Sequence, residues 1–301
     1  MTEDGVPFDG RPADRAPATA SREVAAATLA GSGALVLWAG LAMLSRLAAA
    51  LPPLQITAIA FATGGLLALA AVAARGRLGA LRQRPGFWFH GVAGLFGYHA
   101  LYFGALALAP AVEANLLNYL WPLLIVLLSG PLLGLPLRRQ HLFGVALGAA
   151  GCALLVGPGA AFPAGALPGL ALAAGAALCW ALYSVTSRRF ADVPTEAVAG
   201  PCLVTALLAG IGHLMFETTV APGPLEWLAL TLMGLGPLGA AFFLWDTGMK
   251  RGDPRLLGTL AYAVPVASTL LLIMIGEGAL TWRVTAAAAL VAGGGWMAAR
   301  G

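Results

Sequence analysis

Charged side chains are scarce in this sequence. Only 10% of its 301 residues are Asp, Glu, Lys or Arg, whereas 59% are hydrophobic. A soluble domain has about 25% charged and about 45–50% apolar residues. The composition therefore excludes a soluble globular protein. It predicts an all-α integral membrane protein, in which each spanning helix needs about 20 mainly apolar residues.

Cysteine is also scarce, and catalytic motifs are absent. Cys152, Cys179 and Cys202 lie inside apolar stretches without metal-ligand spacing, which indicates buried small residues. The sequence has no HExxH or GxSxG pattern and no grouped Cys, His and Asp side chains. We expect no catalytic residue, no metal and no cofactor. The net charge of +4 follows the connectors between apolar stretches, so we expect no nucleic-acid partner.

Ten apolar stretches with short connectors predict ten transmembrane helices. They lie near residues 24–45, 53–74, 87–108, 111–133, 141–157, 167–188, 196–216, 225–248, 256–275 and 281–299. Residues 1–22 mix acidic residues, arginines and three prolines. This composition cannot bury a core and predicts a disordered tail.

Basic residues alternate along the predicted connectors. Fifteen of the seventeen lie near the termini or follow helices two, four, six and eight, and only Arg46 and Arg283 fall on the other side. Because cytoplasmic loops carry an excess of Lys and Arg, both termini are predicted to be cytoplasmic. The predicted location is the inner (plasma) membrane, with the bilayer as a partner.

The two halves of the chain resemble each other at an offset of about 143 residues. The matching pairs are Trp38 with Trp180, Tyr119 with Tyr262, Pro122 with Pro265, and Gly151 with Gly294. The pattern predicts a first repeat over 23–157 and a second over 158–301. Since each contains five helices, the second would enter the membrane from the opposite side. Such inverted repeats are typical of transporters that expose a central site alternately to either face.

Polar and aromatic side chains gather near the middle of helices three and four. In helix three Tyr98, His99 and Tyr102 share one face. The tyrosines could instead form an interfacial belt, and the histidine could be a satisfied hydrogen-bonding residue. An ionisable group at that depth is nevertheless a functional candidate.

Helix four carries a polar stripe. Its members are Asn115, Asn118, Tyr119 and Pro122, at spacings i, i+3, i+4 and i+7. Trp121 lies at the edge of this stripe and faces a cavity only if the helix is locally rotated. Trp180 of helix six, and less strongly Trp38 of helix one, are further candidates for the site.

Two prolines lie within predicted helices. Pro122 leaves the carbonyl of Asn118 without its helical partner, and Pro265 does the same for Ala261. These carbonyls could accept hydrogen bonds from a substrate ammonium. We predict that Pro122 and Pro265 act as hinges; a packed kink without a ligand is the alternative.

The ten-helix inverted repeat and the run PAVEANLLNYLWPLLIVLLS resemble the drug/metabolite transporter superfamily. The motifs Gly97-Tyr98-His99-x-x-Tyr102 and Asn118-Tyr119-x-Trp121-Pro122 resemble its aromatic amino-acid exporters. The resemblance covers about residues 30–299. It implies a central substrate site lined by Tyr98, His99, Tyr102, Tyr119, Trp121 and Trp180.

The expected function is export of aromatic and other large apolar amino acids by facilitated alternating access. The alternative within the superfamily is an exporter of other small metabolites or drugs, with proton coupling as an option. The sequence lacks the motifs of a membrane-embedded enzyme. A channel is disfavoured because most channels form a pore on an oligomer axis and not within an inverted repeat of one chain. The sequence does not decide the oligomeric state, and a monomer is compatible with it.

Overall fold

The computed structural model describes residues 18–134, 137–156, 163, 165–190, 192–252, 257 and 260–300. The α-helices are α1 (Ala18–Ala39), α2 (Leu41–Leu47), α3 (Pro53–Ala74), α4 (Pro85–Leu108), α5 (Ala111–Asn118), α6 (Trp121–Leu133), α7 (Arg139–Val156), α8 (Ala166–Ser187), α9 (Ala199–Phe216), α10 (Pro224–Leu235), α11 (Ala241–Arg251), α12 (Val264–Met274) and α13 (Trp282–Ala299). Most of the predicted tail over 1–22 lies outside the described residues.

Long apolar helices dominate the fold. Six segments are long and apolar enough to cross a membrane: Arg22–Leu47, Pro53–Ala74, Pro85–Leu108, Ala166–Ser187, Thr195–Phe216 and Pro224–Gly248. A shorter apolar helix covers Val264–Met274. Large apolar side chains point outward, including Leu29, Phe89 and Leu214, each at least 75% exposed. Exposed apolar surface on this scale marks a membrane-facing protein.

Four predicted helices contain a local irregularity: three have a break, and one has a π-helical turn. Helix one breaks at Gly40, helix four at Tyr119 and Leu120, and helix nine at Tyr262 and Ala263. Helix eight contains a π-helical turn over Gly236–Ala240. The hydrophobic run continues through every break, so a hydropathy pattern cannot locate them.

The prolines begin helices in this structure and do not bend continuous ones. Pro122 is the second residue of α6 and Pro265 the second residue of α12. At that position a backbone N–H has no helical acceptor in any case, so proline costs little there. The preceding turns match: the N–H of Leu120 donates to the Leu117 carbonyl at 3.1 Å, and that of Ala263 to Leu260 at 3.0 Å.

Four long helix pairs form the frame: α4 with α8, α1 with α11, α3 with α9, and α7 with α13. They pack antiparallel. In the first pair Gly97 lies against Cys179 and Gly104 against Leu172, so one residue number rises as the other falls. In the last pair Gly151 lies against Leu290, and Gly294 against Leu147.

Polar links hold both ends of the α3 and α9 pair. At one end the Glu217 carboxylate accepts the N–H groups of Leu54 at 3.0 Å and Gln55 at 3.2 Å. These donors begin α3 and have no helical acceptor, so an anionic cap suits them. At the other end Arg77 forms an ion pair of 2.7 Å with Glu196.

One arginine bridges the two halves of the chain. The Nη1 of Arg46, in α2, donates to the Leu106 carbonyl at 3.0 Å. Its Nε lies 2.9 Å from the Glu277 carboxylate, just beyond α12. Arg46 therefore ties α2 to α4 and to the connector between α12 and α13.

Candidate functional site

A buried cavity lies between helices of both halves. It is lined by Leu35, Trp38, Leu41, Tyr98, His99, Tyr102, Asn118, Tyr119, Trp121, Trp180, Phe242 and Val264. Its volume is about 30 Å³, whereas pockets that bind small molecules measure about 300–1,000 Å³. The site is contracted here and must widen before it can hold a molecule of amino-acid size.

Aromatic rings form most of the wall, and Trp180 is at their centre. Its ring centroid lies 5.0 Å from Tyr98, 5.8 Å from Trp38, 6.2 Å from Phe242 and 6.5 Å from Trp121. These separations are in the range of attractive ring contacts. The wall can therefore bind an apolar or aromatic group through stacking and edge-to-face contacts.

His99 is enclosed by aromatic rings. Its centroid lies 4.7 Å from Phe61 and 5.6 Å from Phe103. Nδ1 is 2.8 Å from the Leu95 carbonyl. Because a carbonyl only accepts, Nδ1 must carry a proton, so in the neutral ring Nε2 is the acceptor. Histidine is thus fixed in one tautomer by its own helix.

Asn115 lies behind the wall and not in it. The Tyr102 hydroxyl donates to Asn115 Oδ1 at 2.7 Å, and Asn115 Nδ2 donates to Ser268 Oγ at 3.0 Å. The side chain is fully buried. Both ends of the amide are occupied, so Asn115 connects α4, α5 and α12.

Asn118 has a different environment three residues further on. Its Nδ2 donates to the Tyr98 hydroxyl at 3.1 Å. Its Oδ1 is buried and has no hydrogen-bond partner among the residues that the structure describes. A buried acceptor left in this state costs about 1–3 kcal/mol. A ligand donor that enters the cavity would remove that cost.

The break in helix four decides which aromatic side chains reach the cavity. Because α5 ends at Asn118 and α6 begins at Trp121, both Tyr119 and Trp121 line it. The break therefore provides the local rotation of the helix that Trp121 needs in order to face the cavity. Seven of the eight predicted site residues therefore meet at one cavity, and Asn115 stands one layer behind.

Phe242 is the aromatic wall residue that the sequence patterns did not predict. It lies in α11, in contact with Trp38 and Trp180 at 6.0 and 6.2 Å between centroids. The repeat could have identified it, since Phe242 is 143 residues after His99 and is therefore its equivalent in the second half. Trp38, a lesser candidate, also lines the cavity, and its Nε1 donates to the Pro237 carbonyl at 3.1 Å.

Acidic, cysteine and histidine side chains do not assemble a metal site in the part of the chain that the structure describes. Membrane-spanning helices around a buried aromatic cavity define a multi-pass membrane transporter. The chain belongs to the EamA-like transporter family, a branch of the drug/metabolite transporter superfamily. The sequence model of this family matches residues 26–157 and again 167–300.

Named relatives span nearly the whole chain. The aromatic amino acid exporter YddG of Ancylobacter novellus is 51% identical and covers 89% of this chain and 95% of its own. The protein of the same name from Salmonella typhimurium is 25% identical, with 91% and 98% covered. A solved crystal structure with 50% identity aligns with a TM-score of 0.75, covering 91% of this chain and 97% of its own.

Proposed function

We propose that this protein exports aromatic and other large apolar amino acids by facilitated alternating access. The observation that carries the proposal is the cavity itself: a wall of aromatic rings with one unpartnered amide oxygen, that of Asn118. The names of two relatives, both aromatic amino acid exporters, support the substrate class. Aromatic and apolar side chains suit the wall, and an ammonium group suits the free oxygen.

The energetics favour weak binding of many related substrates. Burial of a Phe-sized side chain contributes about 1.5–3 kcal/mol, and ring pairing adds about 0.5–1.5 kcal/mol. None of the described residues that line the cavity is Arg, Lys, Asp or Glu. Neutral groups must then hold the zwitterion, with Asn118 accepting from the ammonium. Low affinity helps an exporter release its substrate.

Ten spans in two inverted repeats are the architecture that we propose. The double match of the family model supports two repeats near 23–157 and 158–301. Contacts support the inversion. Gly33 lies against Leu244, and the equivalent residues Gly175 and Leu101 also lie against each other.

The α7 and α13 pair supports the inversion independently. A Cβ on Gly151 would lie 3.0 Å from the Ala287 carbonyl oxygen, and one on Gly294 would lie 2.5 Å from that of Gly144. Residues 144 and 287 are equivalent, as are 151 and 294. Equivalent helices that pack antiparallel with exchanged partners have the symmetry of a two-fold axis in the membrane plane.

Alternating access requires the contracted cavity to open on each side in turn. With both termini in the cytoplasm of a plasma-membrane protein, Arg46 and Glu277 lie on the outer side. Their ion pair holds α2 close to the end of α12. We infer that release to the outside separates this pair, while the turns before Pro122 and Pro265 act as hinges.

The coupling proposal rests on His99. Among the described residues of the cavity wall it is the only strongly ionisable side chain, and its Nδ1 donates to the Leu95 carbonyl. A ring fixed by its helix and enclosed by aromatic groups is a poor proton carrier. Downhill transport therefore fits better than obligatory proton exchange. A proton-coupled exporter of other metabolites or drugs is the second candidate, because a neutral aromatic wall also suits such compounds.

The test is flux of labelled phenylalanine, tryptophan and leucine in proteoliposomes, with and without a pH gradient. We expect saturable flux that the gradient does not drive uphill, in both wild type and His99→Gln. Trp180→Ala should slow phenylalanine transport about tenfold and leucine transport less. Trp227→Ala, at a half-exposed tryptophan outside the cavity, is the matched control.

Two results would overturn the proposal. Uphill accumulation that depends on the gradient and on His99 would replace the facilitated mechanism. If none of the aromatic amino acids is transported, the substrate assignment is wrong, and a survey of cationic drugs and small metabolites becomes the next experiment.

A further inference from the structure

A second concave site lies on the outer surface of the helix bundle, between α4 and α8. Its volume is about 370 Å³, within the range of small-molecule pockets. We call it the lateral groove; its lining residues are Phe89, His90, Ala93, Gly94, Cys179, Leu182, Tyr183, Thr186, Arg189 and Phe190. It is separate from the central cavity, because the two share no lining residue.

Polar atoms of the groove wall already bond to one another. His90 Nε2 lies 3.0 Å from both the Tyr183 carbonyl and Thr186 Oγ1. The Thr186 hydroxyl donates to the Leu182 carbonyl at 2.7 Å. The His90 ring also stacks on Tyr183, with centroids 4.7 Å apart. To a ligand this wall is therefore apolar.

One cation stands at the end of the groove. Arg189 is the second residue beyond the end of α8 and is exposed. Its guanidinium has no acidic or hydrogen-bonding partner among the described residues, whereas neighbouring Arg84 binds Asp192 at 3.2 Å. Arg84 also donates to the Arg189 backbone carbonyl at 2.8 Å, which holds this end of α8 against α4. The free guanidinium gives the mouth of the groove a positive charge.

The lateral groove has no counterpart at the equivalent position of the other repeat. At the repeat offset, Tyr183 corresponds to Leu41, Thr186 to Leu44 and His90 to Met233. Those three counterparts are buried in the protein core, with 5%, 8% and 0% exposure. The α2 and α10 side is thus packed where the α4 and α8 side is open.

We propose that the lateral groove binds an anionic phospholipid, with an acyl chain along the apolar wall and the phosphate on Arg189. Apolar walls that face the bilayer are in contact with acyl chains, which identifies the tail. Arginine binds phosphate oxygens in a bidentate manner. Basic pockets between membrane helices on the cytoplasmic side bind anionic head groups. Only the choice of leaflet, the cytoplasmic one, rests on the proposed topology.

The test is lipid titration of the purified full chain in detergent, read by native mass spectrometry. Phosphatidylglycerol and phosphatidylcholine with the same acyl chains are the two probes. We expect wild type to bind the first phosphatidylglycerol about fivefold more tightly than phosphatidylcholine. Arg189→Gln should erase that preference. Arg75→Gln makes the same charge change outside the groove and should preserve it.

A second variant tests the apolar wall. Ala93→Trp fills the groove and leaves Arg189 in place, so it should weaken binding of both lipids at least fivefold. If that variant fails to fold, Cys179 replaces it. In a Cys152→Ala/Cys202→Ala chain, phosphatidylglycerol should slow maleimide labelling of Cys179, and adding Arg189→Gln should remove the protection.

Three outcomes would overturn the proposal. The first is a phosphatidylglycerol preference that persists in Arg189→Gln. The second is an unchanged lipid affinity in Ala93→Trp. Either result would mean that the lipid adsorbs to surface charge alone. Phenylalanine could displace the lipid, which would make the groove a substrate route. Absence of phenylalanine flux in the earlier experiment would refute the export function and leave this site standing.

Discussion

Two asparagines in α5 have the same side chain and opposite hydrogen-bonding states. Asn115 is bonded at both ends of its amide, while Asn118 keeps an unpartnered oxygen beside the cavity. Nearly all buried polar groups in proteins have partners, so an exception needs an explanation. Under the proposed function, the ammonium group of the substrate supplies the missing partner.

Substitution at Asn118 tests this assignment. Asn118→Leu should raise KM for phenylalanine at least about tenfold, because a hydrogen bond to a charged group contributes about 1.5–3 kcal/mol. Tyr98→Phe removes the same internal bond but leaves Oδ1, and should have a smaller effect. Thr205→Val removes another buried, unpartnered oxygen, one that does not line the cavity.

Flux measured over a range of phenylalanine concentrations gives the three KM values. Equal KM values for Asn118→Leu and Thr205→Val would show that the free oxygen of Asn118 has no role in binding.

At the scale of elements, the broken helices carry the proposed motion. Pro122→Ala and Pro265→Ala should each slow turnover several-fold and the double variant further, since alanine lets α5 and α6, and the two segments of helix nine, join into stiffer helices. Pro85→Ala is the control, because Pro85 also begins a helix but lies away from the cavity. Turnover equal to wild type in the double variant, with normal folding, would exclude hinges at these turns.

Contact between α7 and α13 depends on glycines, whose lack of a side chain lets the two backbones approach closely. A Cβ on Gly294 would collide with the Gly144 backbone, whereas one on Gly293 would meet nothing within 4 Å. Gly294→Ala should therefore lower the free energy of unfolding by about 1–3 kcal/mol, the usual cost of overpacking. Gly293→Ala should leave it unchanged or raise it. Thermal unfolding in detergent compares these neighbours, and equal midpoints would contradict the packing described.

Sequence patterns predicted some helix ends and site residues correctly and missed others, for physical reasons. Helix two was correct at both ends because Pro53 begins it and Gly76, with φ of 67°, follows its last turn. The breaks at Tyr119 and Tyr262 were missed since their surroundings stay apolar. The cavity residues could be predicted from polar and aromatic side chains at mid-helix. The different roles of Asn115 and Asn118 could not, because they depend on Ser268, 150 or more residues away along the chain.

For the whole molecule, orientation decides which end of the helix bundle faces the cytoplasm. In a chain without native cysteines, Ala221→Cys should react with an impermeant maleimide added outside cells, and Leu78→Cys should react only after permeabilisation. Both positions are exposed and lie between helices. The physical reason is the bias of basic residues toward one side. Reversed labelling would place the termini outside and move the Arg46 and Glu277 ion pair to the cytoplasmic side.

The polarity of the cavity wall is one-sided. Its hydroxyl, amide and imidazole groups come from α4, α5 and Tyr119, whereas the described residues of the second half are Trp180, Phe242 and Val264, whose one polar side-chain group is the indole N–H. A zwitterion bound in this way would travel with its charged end attached to one half throughout the crossing, and no hydrogen bond would have to be handed from one half to the other. Chemical changes to the head group, such as amidation of the carboxylate, should then change the affinity for the substrate and hardly change the rate at which bound substrate crosses the membrane.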